Sequence, residues 1–597
     1  MPNMKPKEFK LWQDRLRFAK GVWVKKGLIG TTEASTMRLL IELNRGNQWA
    51  HLDGIEGLGE EFYATANKVF PIANSIKGEV ASRNPKVQMF PNNPESVTLA
   101  RPVEQLINYD IRELNFKRQG NQVLNDALWA PFGLIQHGFT PSEEYETDDG
   151  RRMEMYRPAK PDRPWIKRRP IWDVLMDPTN TSFHVDDGMW WVAFRDIMWL
   201  KDIKDNPSMI SREDLGDFAG NISPEWTDMK TEEFDEDIDP DKDGYVEVFT
   251  VYEARNRTWF QVTLDGLDKP LRQPDDWPIP WETLPVSIFQ TNEQMDTPFP
   301  LAIMEETASI QVEINRLRTM MQQLVFRLRR VLVVDGQKFA NDDGELTKLQ
   351  DAAINEIIKV TGLPSEAIQA ITSGVFPQEL LAYYEVLLED MREAGGQSKM
   401  DRAQRINVES ATEASFVQQG SDVATARIAD AYEDFNKDVI RLYMQGRRAT
   451  MDITGDEVVR IVGEIDADGM QQWGTVEPGD LHGDFELDVI HGSTRKRDKQ
   501  AEAQAAAQDL EVALGAPQMF RPEYFARKFL EARGHPPEQA LTAQALVASA
   551  VLTLDQIRRD AQTGSEPKAD SFDPQAAAAL AAGAPSAGPN GGAQQGA

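Results

Sequence analysis

The chain has 597 residues, with 96 acidic against 65 basic side chains, a net charge of −31 at pH 7 and no cysteine. Its length predicts roughly three or four domains, and the lack of cysteine excludes disulfides, thiolate metal sites and cysteine nucleophiles. A free-standing nucleic-acid binder is normally basic. Either this protein does not contact nucleic acid, or it lets nucleic acid pass without binding it tightly.

Residues 1–30 are predicted to hold a basic amphipathic helix. Its apolar residues recur at helical spacing among many lysines and arginines; they are Phe9, Trp12, Leu16, Ala19 and Trp23. Such a helix can contact nucleic acid or a membrane surface, but a solvated peripheral helix is the interpretation we favour. We expect neither an export signal nor a membrane span, because no apolar stretch approaches the roughly 20 residues that a span needs.

Residues 31–300 predict an α+β domain. The pattern is helical to about residue 137, beginning with a helix from Phe62 to Val80, and then changes to short strand-like runs between Pro- and Asp-rich turns. The clearest of these runs are Trp190 to Phe194, Tyr245 to Tyr252, Trp259 to Leu264 and Val286 to Phe289. A long acidic loop is expected over about 203–243.

A heptad-like pattern follows Pro300. Apolar residues alternate four and three residues apart, which predicts a helix over 301–334 that packs along one seam. The seam residues are Ile310, Ile314, Leu317, Met321, Leu324, Leu328 and Val331. Asp335-Gly336 then provides a turn signal that ends the helix.

A second seam helix is predicted over 377–395, after a small mixed α/β insert over 335–376. Its apolar residues keep the same period, and Gly395-Gly396 ends it; they are Leu380, Tyr384, Leu387 and Met391. The next segment, 396–410, has no apolar period.

A long helix over 411–449 is predicted next, because Ser410 and Glu413 fit a capping box; we expect Gly446 to fray its end. The rest of the chain is predicted to hold a β segment over 450–495, helices over 496–563, and a disordered tail rich in Ala, Gly, Pro and Gln over 564–597.

No pattern predicts catalysis, a cofactor or a metal site. Phosphate-loop, dinucleotide-binding and zinc-protease motifs are absent from the sequence, and the six histidines are scattered. Asp239, Asp241, Asp243 and Gly244 match the start of a calcium loop, but Thr250 stands where that loop requires a bidentate Glu. A solvated acidic turn is the better interpretation.

Short motifs in a fixed order carry a resemblance to a protein family. Arg45-Gly46-Asn47-Gln48-Trp49 resembles the Gly-plus-Trp motif that opens many members, and Ala411-Thr412-Glu413 resembles their Ala-Thr-Glu. Further matching motifs, in chain order, are Arg83-Asn84-Pro85, Pro164-Trp165, Asp177-Pro178, Glu477-Pro478 and Gly492-Ser493. Together with two seam helices that flank an insert, they make residues 40–500 similar to the portal proteins of tailed bacteriophages.

The resemblance implies an α+β, predominantly helical portal fold. Its parts would be an α+β wing (31–300), a two-helix stem (301–334 and 377–395), an α/β clip (335–376), a channel loop (396–410), the long helix, a late wing segment (450–495) and a helical crown (496–563). Copies would form a ring, twelve-fold in the virion, at one capsid vertex. The ring would conduct double-stranded DNA during packaging and ejection, and a mostly acidic channel would let that DNA slide.

The family implies partners and two candidate sites. Expected partners are further copies of the chain, the major capsid protein and scaffold, the terminase large subunit, and a tail or neck adaptor; we expect assembly in the host cytoplasm and no membrane contact. The candidate subunit interface comprises Ile314, Leu317, Met321, Leu324, Leu328, Leu380, Tyr384, Leu387 and Met391. Lys399, Arg402 and Arg405 of the channel loop are candidates to contact DNA, or else they face solvent or pair with acids of a neighbouring copy.

Two alternatives remain from the sequence. Another head–tail adaptor or minor capsid protein would lack the paired helices with an insert between them. A metal-dependent nuclease or a packaging motor is the alternative from another class, and a motor would need a phosphate loop.

Overall fold

The computed structural model describes most of the chain up to residue 533. The described residues are 4–25, 36–49, 63–140, 163–180, 182, 184–185, 188–216, 218, 220–221, 244–295, 298–327, 331–334, 368–371, 376–396, 411–455, 457–465, 471–494, 499–515 and 522–533. The predictions of an acidic calcium-like turn at Asp239–Asp243, of a channel loop at 397–410 and of a disordered tail lie outside the described residues.

Helices dominate the part of the chain before residue 130. They are α1 (Pro6–Lys25), α2 (Thr36–Arg45), α3 (Val69–Val80), α4 (Ala100–Glu113) and α5 (Phe116–Trp129).

Two predictions for this part of the chain are wrong. Residues 63–68 form no helix, although one was expected from Phe62 onward, and a strand, β1 (Val87–Pro91), lies between α3 and α4. Both segments make their hydrogen bonds to distant parts of the chain, which no local pattern could indicate.

Two antiparallel sheets follow. Strands β2 (Gly133–Phe139) and β3 (Pro164–Arg169) share a three-stranded sheet with β9 (Val286–Phe289), in the order β3–β2–β9. The second sheet has the order β4–β5–β6–β7–β8, with strands Val174–Met176, Trp191–Trp199, Tyr245–Glu253, Thr258–Val262 and Arg272–Asp276. Two short helices, α6 (Leu200–Asp205) and α7 (Arg212–Leu215), stand where the acidic loop was expected to begin.

Helix α1 packs onto the five-stranded sheet and is not peripheral. All five of its predicted apolar residues are at most 3% exposed, in one core cluster with that sheet. The Trp12 ring meets Trp191 edge-on at 5.9 Å and Phe260 at 5.1 Å between ring centroids. Part of its basic face is also used, since Lys20 pairs with Glu247 of β6. The apolar stripe is explained by this burial, which corrects the expectation of a solvated helix.

The first seam helix is shorter than its pattern predicted. Helix α8 (Glu305–Arg327) ends before Val331–Val334, which form strand β10 paired antiparallel with β11 (Ile368–Ile371). The helix predicted over 301–334 is therefore wrong at its C-terminal end, because these four apolar residues pair with a strand far along the chain. Helix α9 (Gln378–Ala394) follows and packs against α8.

Helix α10 (Ala411–Thr454) has 44 residues and would extend about 66 Å at 1.5 Å per residue. It contacts α3 and all three strands of the β3–β2–β9 sheet, and its residues Tyr432, Phe435 and Val439 belong to the largest core cluster. The helix does not fray at Gly446. A Cβ atom there would lie 2.9 Å from Pro164 Cβ, so glycine permits a close approach to β3. No helix in the described ranges is long and apolar enough to cross a lipid bilayer.

The last described elements are two strand pairs and two helices. β12 (Glu457–Ile465) pairs with β13 (Gln471–Val476), and β14 (Phe485–Val489) pairs with β1. Helices α11 (Lys499–Gly515) and α12 (Pro522–Arg533) pack on each other through a small cluster of their own, with Leu510 and Phe529 at its centre. The helices expected beyond residue 533 lie outside the described part.

Acid should destabilise this fold through His137. The side chain is 2% exposed in β2, with Nε2 3.0 Å from Ser287 Oγ, and burial lowers its pKa from 6.5 to about 3. Between those pH values the unfolded chain binds a proton that the folded chain does not. The contribution of neutral His137 to the free energy of unfolding is therefore fully present above about pH 6.5. It decreases by about 1.4 kcal/mol per pH unit as the pH falls toward about 3.

We therefore expect His137→Gln to reduce the loss of stability in acid. The free energy of unfolding, measured in urea between about pH 6 and about pH 4, should fall less steeply than in the wild type by about 1 kcal/mol per pH unit. His184→Gln is the control, because His184 is 55% exposed. Equal slopes in the wild type and His137→Gln would contradict the assignment.

Candidate functional site

The paired helices α8 and α9 bury part of their seam inside the single chain. Ile314, Leu317, Leu387 and Met391 are at most 6% exposed. Four more of the predicted interface residues are half-buried, three of them packed against the same core; they are Met321, Leu380, Tyr384 and Leu324. Leu328 lies outside the described residues, as do Lys399, Arg402 and Arg405. The deepest seam residues thus contact the chain's own core.

Five large apolar side chains on the same two helices are exposed. Met320 and Val325 on α8, with Leu381, Tyr383 and Val386 on α9, are 44 to 58% exposed. These side chains are available for a contact outside the subunit. The sequence analysis named none of these five residues, because its interface candidates were the seam residues.

The two helices also differ in their exposed charges. Arg316 and Arg318 are exposed on α8. Arg318 lies over the Tyr384 ring, 5.4 Å from its centroid. Helix α9 exposes acids on its outer face, namely Glu379, Glu385, Glu389, Asp390 and Glu393. Helix α8 also exposes two acids, Glu306 and Glu313, so the excess of exposed negative charge lies on α9.

A polar ladder on α8 holds the extended segment 63–68. Gln311, Asn315 and Thr319 stand one turn apart and are fully buried. Thr319 Oγ1 accepts from the Ala64 N–H at 3.0 Å, and Asn315 Oδ1 accepts from the Ala66 N–H at 3.2 Å. Gln311 completes the row, accepting from the Lys68 N–H and donating to the Ala66 carbonyl, both at 2.9 Å.

The ladder also explains the Gly-plus-Trp motif. Asn315 Nδ2 donates to Gln48 Oε1 at 3.0 Å, and Gln48 Nε2 donates to the Leu43 carbonyl at 2.6 Å. Trp49 Nε1 donates to the Ala64 carbonyl at 3.2 Å. The motif therefore joins the end of α2 to the extended segment and, through it, to α8. The four-residue spacing of the ladder was visible in the sequence, beside the apolar seam, but its partners were not.

A buried ion pair ties α10 to α4. Arg447 Nε donates to Asp110 Oδ2 at 2.7 Å, and their side chains are 0 and 2% exposed. Asp110 also interacts with Tyr443, and the pKa of this phenol is raised well above its usual value, mainly by burial and further by the Asp110 charge. Charges removed from water to this extent are stable only when paired.

One group of side chains has the geometry of metal ligands. Asp430, Glu433 and His491 place their potential ligand atoms within 4.8 Å of one another. Glu433 is already engaged, because it lies 2.7 Å from His491 Nδ1 and accepts from the Gly492 N–H at 2.8 Å. These contacts join α10 to the turn after β14, and that structural role accounts for the group.

Comparison with known families identifies the class of protein. The family model described as phage P22-like portal protein matches residues 36–522, most of the chain. The protein is therefore a portal protein of a tailed bacteriophage, a structural head–tail connector of the virion associated with genome packaging. It belongs to the P22-like portal protein family. No curated protein sequence matches the chain.

Proposed function

We propose that copies of this chain close into a ring at one capsid vertex and that double-stranded DNA passes through its centre during packaging and ejection. The family match over residues 36–522 carries this proposal. It also favours a portal over the head–tail adaptor, minor capsid protein or nuclease considered from the sequence. The ring would be twelve-fold in the virion, and would meet the capsid protein and scaffold, the terminase large subunit, and later a tail or neck adaptor.

The order of elements supports an assignment of the parts of a portal. Helices α8 and α9 would form the stem, the β10–β11 pair would begin the clip between them, and α1 to β9 would form the wing. The clip would then start at Val331, four residues earlier than the sequence indicated. The pair α11–α12 would belong to the crown. Lys399, Arg402 and Arg405 would face the DNA from the channel loop.

The subunit interface would lie on the exposed surface of the stem. Met320 and Val325 on α8 of one copy would meet Leu381 and Val386 on α9 of the next, and the bases of α8 would face the acids of α9. Such a contact uses two different surfaces of each subunit, and it generates a ring when the rotation between successive copies closes. We assign no catalytic step to the chain.

The buried seam residues are unsuitable for testing this interface. Leu317→Asp or Leu387→Asp would place an unpaired charge in the chain's own core and unfold the stem before any effect on assembly could be seen. Exposed positions separate the two effects.

We therefore expect Val325→Asp with Val386→Asp to abolish rings while leaving the subunit folded. Each change places a charge where we propose an apolar contact with the next copy. Native mass spectrometry and negative-stain imaging would count rings, and circular dichroism would monitor the fold. Val512→Asp is the control for a charge added at an exposed valine, since Val512 is 61% exposed on α11. Rings that persist in the double variant at the wild-type concentration would overturn the interface.

A further inference from the structure

A polar groove lies beside the start of α5, with a volume of about 830 Å³. It is bordered by the end of α3, the junction of α4 with α5, and β3. Its lining consists of Lys or Arg side chains, Asn or Gln side chains and one acid, Asp126, and includes no aromatic or aliphatic residue. On a chain with a net charge of −31, this is a local reversal of sign.

Three of the cations are available to a ligand. Arg168 is committed, because its Nε and Nη2 both lie 2.5 Å from the carboxylate oxygens of Asp126, which cancels the only acid of the lining. Arg112, Lys117 and Arg118 are exposed, and none of them is paired with an acid within the described part of the chain. Exposed cations gathered in a concave site focus a positive potential there.

The backbone at the start of α5 adds to this potential. Asn115 has φ of 51° and makes no side-chain cap, and its carbonyl accepts from the Arg118 and Gln119 N–H groups at 2.9 and 3.2 Å at the start of the 14-residue helix. The Lys117 N–H donates to Asn84 Oδ1 at 2.9 Å, which fixes that turn against the groove wall. A helix N-terminus carries a partial positive charge that favours anions.

We propose that this groove binds the phosphate backbone of nucleic acid, without regard to sequence. Unpaired cations and amide donors are the groups that bind phosphodiesters. The lining has no aromatic side chain on which a base could stack and no apolar pocket for the central anchor of a protein partner. The volume accommodates more than a single small anion. The site belongs to one subunit, so the proposal does not depend on the ring or on the channel loop.

The test compares two variants with the same change in net charge. One replaces Arg112, Lys117 and Arg118 with Gln. The control, called the α1 variant, makes the same change at Lys5, just before α1, and at Lys7 and Lys10 within it, which are also exposed. Binding of a random-sequence DNA duplex is measured by fluorescence anisotropy over a range of salt concentrations. Because each phosphate contact contributes about 0.9 to the slope of log K against log salt, the groove variant should lower that slope by about 2.7 and weaken binding at least tenfold at low salt.

Three outcomes would overturn the proposal. Equal losses in the groove variant and the α1 variant would mean that net charge alone governs binding. If a polyglutamate probe binds in a way that depends on these three residues while DNA binding does not depend on them, that result would indicate an acidic protein segment as the ligand. Saturation by inorganic phosphate with no effect of DNA would indicate a small-anion site. Thermal melting of both variants verifies that they are folded, and Lys117→Gln alone should lower the slope by about 0.9.

Discussion

Replacing Arg447 with Met is expected to lower the free energy of unfolding by about 3–5 kcal/mol. The substitution leaves Asp110, at 2% exposure, without the positive charge of Arg447, and a buried charge without its counter-charge costs more than the contact itself contributes. Because the pair joins α10 to α4, the effect should extend to both elements. Urea unfolding followed by tryptophan fluorescence would measure it.

Two further variants separate the charge from the packing. Arg447→Met with Asp110→Asn should recover a large part of the loss, since no buried charge remains. Arg441→Met, on the same helix, is the surface control: its pair with Glu282 is more than half exposed on both sides and should contribute less than about 1 kcal/mol. A loss in Arg447→Met no larger than in Arg441→Met would show that the buried pair does not stabilise the fold.

Replacing Asn315 with Leu should be the next most severe change, at about 2–4 kcal/mol. The variant keeps the side-chain volume but leaves the Ala66 N–H and Gln48 Oε1 without their partner, and each unsatisfied buried group costs about 1–3 kcal/mol. Urea unfolding would measure the loss of stability.

Hydrogen exchange provides a local readout for the same substitution. In the wild type, the amides of Ala64, Ala66 and Lys68 should exchange slowly because α8 side chains accept from them. Asn315→Leu should accelerate Ala66 first. Ser309→Ala, at an exposed position on the same helix, should change neither stability nor exchange. Unchanged protection of Ala66 in Asn315→Leu would refute the ladder.

Helix α9 shows what could be predicted from the sequence. Its apolar period is regular, Pro377 precedes it and Gly395-Gly396 follows it, so local signals determine both of its ends. Helix α8 shows the limit of the same method. Its period continues through Val331, but Val331 to Val334 pair with a strand whose position depends on residues 368–371. Periodicity alone could not distinguish the two outcomes.

The functional surfaces were harder to predict than the helices that carry them. Gln311, Asn315 and Thr319 resemble ordinary polar residues of an exposed helix face, and their partners lie about 250 positions earlier in the chain. The groove cations are scattered between residues 77 and 168, in a chain whose overall charge is negative. In both cases the chemistry depends on which distant segments of the chain come into contact. Local sequence patterns do not predict those contacts.

The pairing of β1 with β14 has a consequence for synthesis on the ribosome. Asn92 and Asp484, at the ends of these strands, hydrogen-bond across 392 positions of sequence. At about 5–20 residues per second, β1 waits roughly 20–80 s for its partner to be made. During that time β1 has an unpaired edge, the kind of surface through which nascent chains associate wrongly. The β1–β14 sheet thus forms only after residue 489 has been made, so early contact between neighbouring nascent chains competes with correct pairing.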